Sequence, residues 1–357
     1  MDVFSLINTA RSRAASDLHL VTSSPPLIRV DGHLEAVADT VPLTADDTRQ
    51  AFLQITTAEQ RNHFQEYLEL DFGYGLPGIG RLRCNVAQQR GSISLALRLL
   101  PSEVPTIDEL ELPGIYKELI LKQRGLLIVT GPTGSGKTTT QAAMIHHLNL
   151  TEGRHVVTVE DPIEYIHPNI KCAITQRQLG SDTHSYPDAL KHILRQDPDV
   201  ILIGEVRDSE TAAAVLSIAE TGHLVLTTGH APSTDQAIER VIDLFPPHER
   251  HLAQTRLASL LLAVLCQQLV PRADRPGRIA AVEIMLANPA VRNLIREGKP
   301  YQLPSVICTH HEIGMISMDE ALVDLYHRRK IGLESLLEFC KDEKEVRKLT
   351  GMVKGKE

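Results

Sequence analysis

The stretch Gly131-Pro-Thr-Gly-Ser-Gly-Lys137-Thr138-Thr139 constrains this chain more than any other. It satisfies G-x-x-x-x-G-K-[ST] at every fixed position, a pattern that carries chemistry only between a buried strand and a helix. Both flanks supply that context. The apolar run Leu126-Leu-Ile-Val129 enters as a buried strand would, and Gln141-Ala-Ala-Met-Ile-His-His-Leu148 continues with good helix formers. Glycines let the backbone turn its N–H groups inward, so the loop and the helix start together hold an anion. Gly131, Thr133, Gly134, Ser135 and Gly136 form the candidate cradle, followed by Lys137, Thr138 and Thr139. Lys137 can then reach the β- and γ-phosphates, and the Thr138 hydroxyl can meet Mg²⁺. A glycine-rich turn that binds nothing is the competing reading; the complete pattern with both flanks argues against it. The chain is expected to bind a nucleoside triphosphate.

The 357 residues are enough for two to three cores, and 42% hydrophobic with 23% charged residues is ordinary for a globular protein. A formal charge of −8 argues against a nucleic-acid surface, since phosphate-backbone binders are usually basic. Cys84, Cys172, Cys266, Cys308 and Cys340 lie far apart with no C-x-x-C pair, which argues against a disulfide framework and a tetracysteine zinc site. Met1-Asp2-Val3-Phe4 has neither a basic n-region nor a long apolar stretch, so no secretory signal is expected. The most apolar segment, Leu257 to Cys266, would cover about 15 Å as a helix, half a bilayer core. It reads as a buried helix, and no transmembrane segment is expected.

Residues 1–100 read as a small α+β domain. Phe4 to Ala15 has helical spacing, Asp17 to Val21 alternates, Leu27 to Gly32 reads as a strand closing on a turn, and Arg81–Val86 with Ile93–Leu100 looks like a hairpin. Pro101, Pro105 and Pro113 punctuate an expected linker over 101–113. Over 114–288, strand candidates Leu126–Thr130, Val156–Glu160, Val200–Gly204, Leu224–Thr228 and Ile279–Ile284 alternate with helical stretches such as Tyr186–Arg195 and Ser209–Ala219. That alternation predicts an α/β core with a parallel sheet covered on both faces. In 289–357, Pro289–Glu297, Met318–Arg329 and Leu333–Thr350 look helical, and the tail from Lys354 to Glu357 is expected to be disordered.

Ligands of open parallel sheets gather beyond the carboxyl ends of the strands. That rule selects Glu160, which ends Val156-Val-Thr-Val159, and Glu205, which follows Val200-Ile-Leu-Ile-Gly204. One acid should hold the metal, usually through water, and the other should activate the attacking water. Glu205 is read as the metal-side acid and Glu160 as the base, with the reverse assignment open. Leu224-Val-Leu-Thr-Thr228 ends in Gly229-His230, which sets an imidazole on the same edge. Asp197, Asp199 and His223 precede their strands and are expected at the opposite edge in structural roles.

At this point the residues resemble the type IV pilus retraction ATPases of the secretion-ATPase superfamily, nearly end to end. Val159-Glu-Asp-Pro-Ile-Glu-Tyr165 is similar to their aspartate box, Ile201-Leu-Ile-Gly-Glu-Val-Arg-Asp208 to their Walker B segment, and Thr221-Gly-His-Leu-Val-Leu-Thr-Thr-Gly-His230 to their histidine box. Ser16-Asp-Leu-His-Leu20 with Pro25-Pro-Leu-Ile-Arg-Val-Asp-Gly32 matches the start of their N-terminal domain. Val291-Arg-Asn-Leu-Ile-Arg-Glu-Gly-Lys299 matches a C-terminal helix of retraction members, and Gly314-Met-Ile-Ser-Met-Asp-Glu-Ala-Leu322 fits as well. The resemblance implies a RecA-like P-loop NTPase core behind a PAS-like domain and before C-terminal helices. It implies ATP and Mg²⁺, a homohexamer at the cytoplasmic face of the inner membrane, a pilus platform protein there as partner, and a paralogous pilus ATPase. Nucleotide lies between the two domains in such proteins, with Arg81, Arg83, Arg98, Arg195 and Arg207 the matching candidates for phosphate charge. Retraction members usually read threonine-leucine-histidine-threonine where this chain has Thr228-Gly229-His230-Ala231. That difference leaves open a weakly hydrolysing or non-hydrolysing accessory ring, and the motifs equally fit a type II secretion or DNA-uptake ATPase.

Overall fold

The computed structural model describes residues 2–30, 32–76, 80–100 and 103–351. The chain forms two compact units, Met1–Val104 with Pro162–Ile166, and Pro105–Asp161 with His167–Glu357.

In the first unit the described elements are α1 (Val3–Ser12), β1 (Asp17–Leu20), β2 (Leu27–Val30), β3 (His33–Ala36), α2 (Ala45–Ile55), α3 (Ala58–Tyr67), β4 (Glu69–Leu76), β5 (Gly80–Gln89) and β6 (Ser92–Leu99). The strands make one antiparallel sheet in the order β3-β2-β1-β6-β5-β4. Alternation decides which face is covered. Leu18, Leu20, Leu82, Cys84, Leu95 and Leu97 are buried, while Arg83 and Arg98 project from the open face. The helix spacing read from Phe4 and the hairpin around Arg90-Gly91 are both present. Two further helices, α2 and α3, each begin with a capping box, Thr44 with Asp47 and Thr57 with Gln60.

The second unit is α/β. Its strands are β7 (Gly125–Thr130), β8 (His155–Glu160), β9 (Ala173–Gln178), β10 (Val200–Ile203), β11 (Leu224–Thr228), β12 (Leu261–Pro271) and β13 (Arg278–Leu286). They run β13-β12-β7-β11-β10-β8-β9, parallel throughout except for the antiparallel β12–β13 pair. Around them lie α4 (Ile115–Ile120), α5 (Lys137–Thr151), α6 (Tyr186–Ile193), α7 (Ser209–Glu220), α8 (Thr234–Asp243) and α9 (Arg250–Leu260). Beyond the sheet come α10 (Pro289–Arg296), α11 (Leu303–Ile307), α12 (Met318–His327), α13 (Leu333–Phe339) and α14 (Glu343–Leu349). β7, β10 and β11 are buried at every position, as strands covered on both faces must be.

Three expectations change. The apolar run Leu257–Cys266 is no single helix: α9 ends at Leu260, and Leu261 starts β12 beside β7. Continuous burial cannot separate helix from strand, and no glycine or proline marks the junction. The sheet is mixed, because β13 returns antiparallel along β12. Leu333–Thr350 is broken at Lys341-Asp342, whose backbone N–H groups donate to the Asp319 carboxylate at 2.7 and 2.9 Å. The unit boundary after Val104 falls inside the expected linker, but Ile107 and Leu112 are buried in the second unit's core. Pro101 and the tail from Lys354 to Glu357 lie outside the described residues.

A buried acid ties the C-terminal helices to the sheet. Glu283 on β13 is 4% exposed and accepts from Thr234 N and Oγ1 at 2.7 and 2.8 Å and from Lys341 Nζ at 2.7 Å. Glu283→Gln weakens these charge-assisted bonds and should destabilise the fold by about 2 kcal/mol. A urea midpoint lowered at unchanged m-value is the expected reading; an unmoved midpoint would contradict it.

Candidate nucleotide site

The parallel strands deliver their exits to one edge. β7 leads into the glycine loop, and α5 begins at Lys137 with Gly136 as its N-cap. No side chain caps that helix, and its first turn holds no acid. The N–H groups that a fifteen-residue helix leaves unpaired at its start therefore face an anion site without competition. Gly136 takes φ 88°, a left-handed conformation suited to glycine, which starts the helix at that angle. Lys137 Nζ donates to the Gly131 and Pro132 carbonyls at 2.9 and 3.0 Å, folded along the loop. Partial burial holds its pKa below the ordinary range, opposed by the fields of Cys266 and Glu205.

Gln267 on β12 supports the loop from behind. Its amide Nε2 donates to the Ser135 carbonyl at 2.6 Å, and its side chain is 1% exposed. No local signal marked this residue; it lies 132 positions from its partner and just past the Leu257–Cys266 run that was expected to be helical.

The acids stand on the neighbouring exits. Glu160 ends β8, and its Oε1 accepts from Thr158 Oγ1 at 2.6 Å and from Gln176 Nε2 at 3.1 Å. Glu205 follows β10 with its side chain 15% exposed; Arg207 Nε lies 2.8 Å and His230 Nε2 3.6 Å from its Oε2. His230 is held by the β11 exit, where Thr228 Oγ1 donates to the Gly204 carbonyl and Thr130 Oγ1 donates to the Ala231 carbonyl at 2.8 Å. Side-chain bonds thus tie three consecutive strand exits together.

Tyr186, the first residue of α6, was not among the expected site residues. Its hydroxyl is buried over Gly204: a methyl built on that glycine would stand 2.8 Å from it, 3.3 Å from the Val159 carbonyl and 3.4 Å from Glu160 Cα. Burial first, then the charges of Glu205, Asp161 and Glu160, pushes the phenol far above its ordinary range. It is therefore a neutral hydroxyl, buried without a hydrogen-bond partner in the field of those three acids.

Within the second unit the structure brings Lys137, Glu205, Arg207 and His230 into one electrostatic cluster, with Glu160 on the adjoining exit. Arg195 does not join it. It is exposed just past α6, two residues before Asp197, whose carbonyl meets His155 Nδ1 at the amino end of β8. A helix leading into β10 from its amino end carries Arg195 to the far edge. Asp199, bonded to His155 N at 2.8 Å, and His223, beside Thr221 Oγ1 at 2.9 Å, occupy that same edge as expected. Arg81, Arg83 and Arg98 belong to the first unit; Arg83 and Arg98 oppose each other in register, and Arg98 donates to Asp17 at 3.1 Å.

The residues fit Mg²⁺. Thr138 and Glu205 offer the hard oxygen donors that ion prefers. Among the described residues no group of three or more histidines, cysteines or acids could hold a metal alone.

Fold and loop together define a phosphate-loop nucleotide-binding protein with an α/β core, a small N-terminal domain and C-terminal helices. The family described as Type II/IV secretion system protein matches residues 94–311. The type IV pilus retractation ATPase PilT of Pseudomonas aeruginosa is 42% identical over 341 residues, spanning 96% of this chain and 98% of that protein. The type IV pilus ATPase PilU of the same organism is 40% identical over 347 residues, spanning 97% and 91%. The crystal structure of the pilus retraction motor PilT with bound ADP aligns with a TM-score of 0.91 at 39% identity, over 98% of this chain and 99% of that one. The chain belongs to the Type II/IV secretion system protein family, among its PilT-type members.

Proposed function

We propose that this chain is an ATP-hydrolysing subunit of a hexameric motor that retracts type IV pili and so drives twitching motility. The observation that carries this reading is an uncapped helix start and lysine loop facing Glu205 and its neighbouring strand exit with Glu160. Near full-length similarity to a pilus retraction motor assigns that chemistry to the pilus machine. Loop amides and Lys137 bind the phosphates of ATP, with Gly131 to Gly136 shaping the cradle and Thr139 extending it. Mg²⁺, when bound, offsets phosphate charge; Thr138 and Glu205 supply its oxygen donors, Glu205 through water. Glu160 orients and deprotonates the attacking water. His230 reports on the γ-phosphate end, and Arg207 balances the Glu205 charge. Arg81, Arg83 and Arg98 are carried in this reading as partners of phosphate charge supplied in the assembled ring.

Among the described residues no helix is long and apolar enough to cross a membrane. The ring is accordingly proposed to work from the cytoplasm against a pilus platform protein of the inner membrane. Deleting the gene and imaging surface pili tests the direction of the motor. Hyperpiliated cells that fail to twitch are expected, and bald cells would reverse the assignment to extension.

A second reading has its own support. Identity to PilU is nearly that to PilT, and Gly229 and Ala231 flank His230 with minimal side chains. An auxiliary ring that leans on a paralogous ATPase would show little phosphate release from the purified chain alone.

Tyr186→Phe removes a buried hydroxyl that makes no hydrogen bond, so KM should hold and the melting temperature should stay the same or rise. A kcat lowered about fivefold, the loss of one hydrogen bond of about 1 kcal/mol, would put the hydroxyl at the reacting water. An unchanged kcat would assign Tyr186 to packing.

A further inference from the structure

A second pocket of the core lies outside the phosphate site. A cavity of about 290 Å³ sits between the sheet and two helices of the second unit. Leu126, Ile128 and Thr227 form its floor on β7 and β11. Ala212, Val215 and Leu216 of α7, with Ala237 and Val241 of α8 and Leu244 just past it, form its walls. Its existence follows from side-chain size. Ala212, Ala237, Gly229 and Ala231 stand where larger residues would fill the space between helix and strand, and close packing leaves few such voids.

Charged groups at its mouth show that the cavity is more than a packing fault. At the rim stands Arg240, exposed on α8 and outside every ion pair among the described residues. Arg207 and His230 border the same mouth, and both reach Glu205.

We infer that this cavity is a binding site for a small amphiphilic anion, with its apolar body inside and its anionic head on Arg240. Size sets the class of ligand. An engineered apolar cavity of about 150 Å³ takes benzene, so a cavity near twice that volume takes a bicyclic body or a chain of about eight carbons. Occupancy would act on hydrolysis through the rim, because Arg207 and His230 touch both the ligand mouth and Glu205. The binding site goes beyond the nucleotide reading, and only its effect on hydrolysis rests on that reading.

The test uses the full chain saturated with ADP, so that the phosphate site is occupied, and octanoate as probe below its micellar concentration. Calorimetry should show saturable one-to-one binding, at least fivefold tighter than for neutral 1-octanol. Ala237→Leu, which fills the cavity, should weaken octanoate at least tenfold while ADP binds as before. Arg240→Ala should erase the preference over octanol. ADP affinity reports folding in each variant. Absence of saturable octanoate binding would overturn the proposal. So would equal octanoate affinity in wild type and Arg240→Ala, which remains decisive even where Ala237→Leu does not fold.

Discussion

Glu160→Gln is expected to give a protein that binds ATP and scarcely turns it over. A positioned general base contributes about 10²–10⁴ in rate, so kcat should fall by that order while KM stays within about twofold. The geometry makes the comparison clean. Thr158 Oγ1 and Gln176 Nε2 both donate to Oε1, and a glutamine carbonyl can accept both, so the side chain keeps its place. Only the remaining oxygen changes, from a basic atom to an N–H₂ that cannot take a proton. Glu205→Gln should behave differently. It removes the negative charge that meets Arg207 and His230 and acts on Lys137, so activity should be recovered in part at raised Mg²⁺. Phosphate release titrated with Mg²⁺ separates the two. Recovery at high Mg²⁺ in Glu160→Gln, with none in Glu205→Gln, would exchange their roles.

Those two acids were legible in the sequence because buried parallel strands announce themselves. Val156–Val159 and Val200–Ile203 are short, mainly apolar runs, the first followed directly by Glu160 and the second by Gly204-Glu205, and a strand's carboxyl end is where such a sheet binds ligands. The loop was legible for the same reason, since pattern and context are both local. What escaped notice depends on contacts between distant residues. β9 reads Ala173-Ile-Thr-Gln-Arg-Gln178, mostly polar because it is the edge strand, and it looks like loop until β8 is beside it. Yet it supplies Gln176, which holds Glu160. Tyr186 resembles any aromatic residue at a helix start until α6 lays its hydroxyl over Gly204. Gln267 was hidden twice, by its separation from Ser135 and by an unpunctuated apolar run that reads equally well as helix.

The strand missed in the sequence makes the most severe prediction at the loop. Gly131→Ala should abolish measurable nucleotide binding, with affinity down more than about 100-fold, and should destabilise the fold by about 3 kcal/mol or more. Gly131 adopts φ 138°, a region that side chains avoid at a cost of about 1–3 kcal/mol. A Cβ there would stand 2.2 Å from the Gln267 carbonyl oxygen and 2.8 Å from Ser135 Oγ. The first of these cannot rotate away, because it is backbone of β12, paired with β13 from Ala263 to Pro271. Relief must therefore come from the loop, which would leave β7 at a different angle and pull Ser135 from the Gln267 amide. Gly134→Ala is the matched control: φ is 78° with nothing within 4 Å of the added atom, so only the backbone cost of about 1 kcal/mol applies. Thermal melts and titration with a fluorescent ADP analogue should rank wild type above Gly134→Ala, and both far above Gly131→Ala. If Gly131→Ala bound nucleotide like Gly134→Ala, β12 could not be packed against the loop, and the support assigned to Gln267 would fall with it.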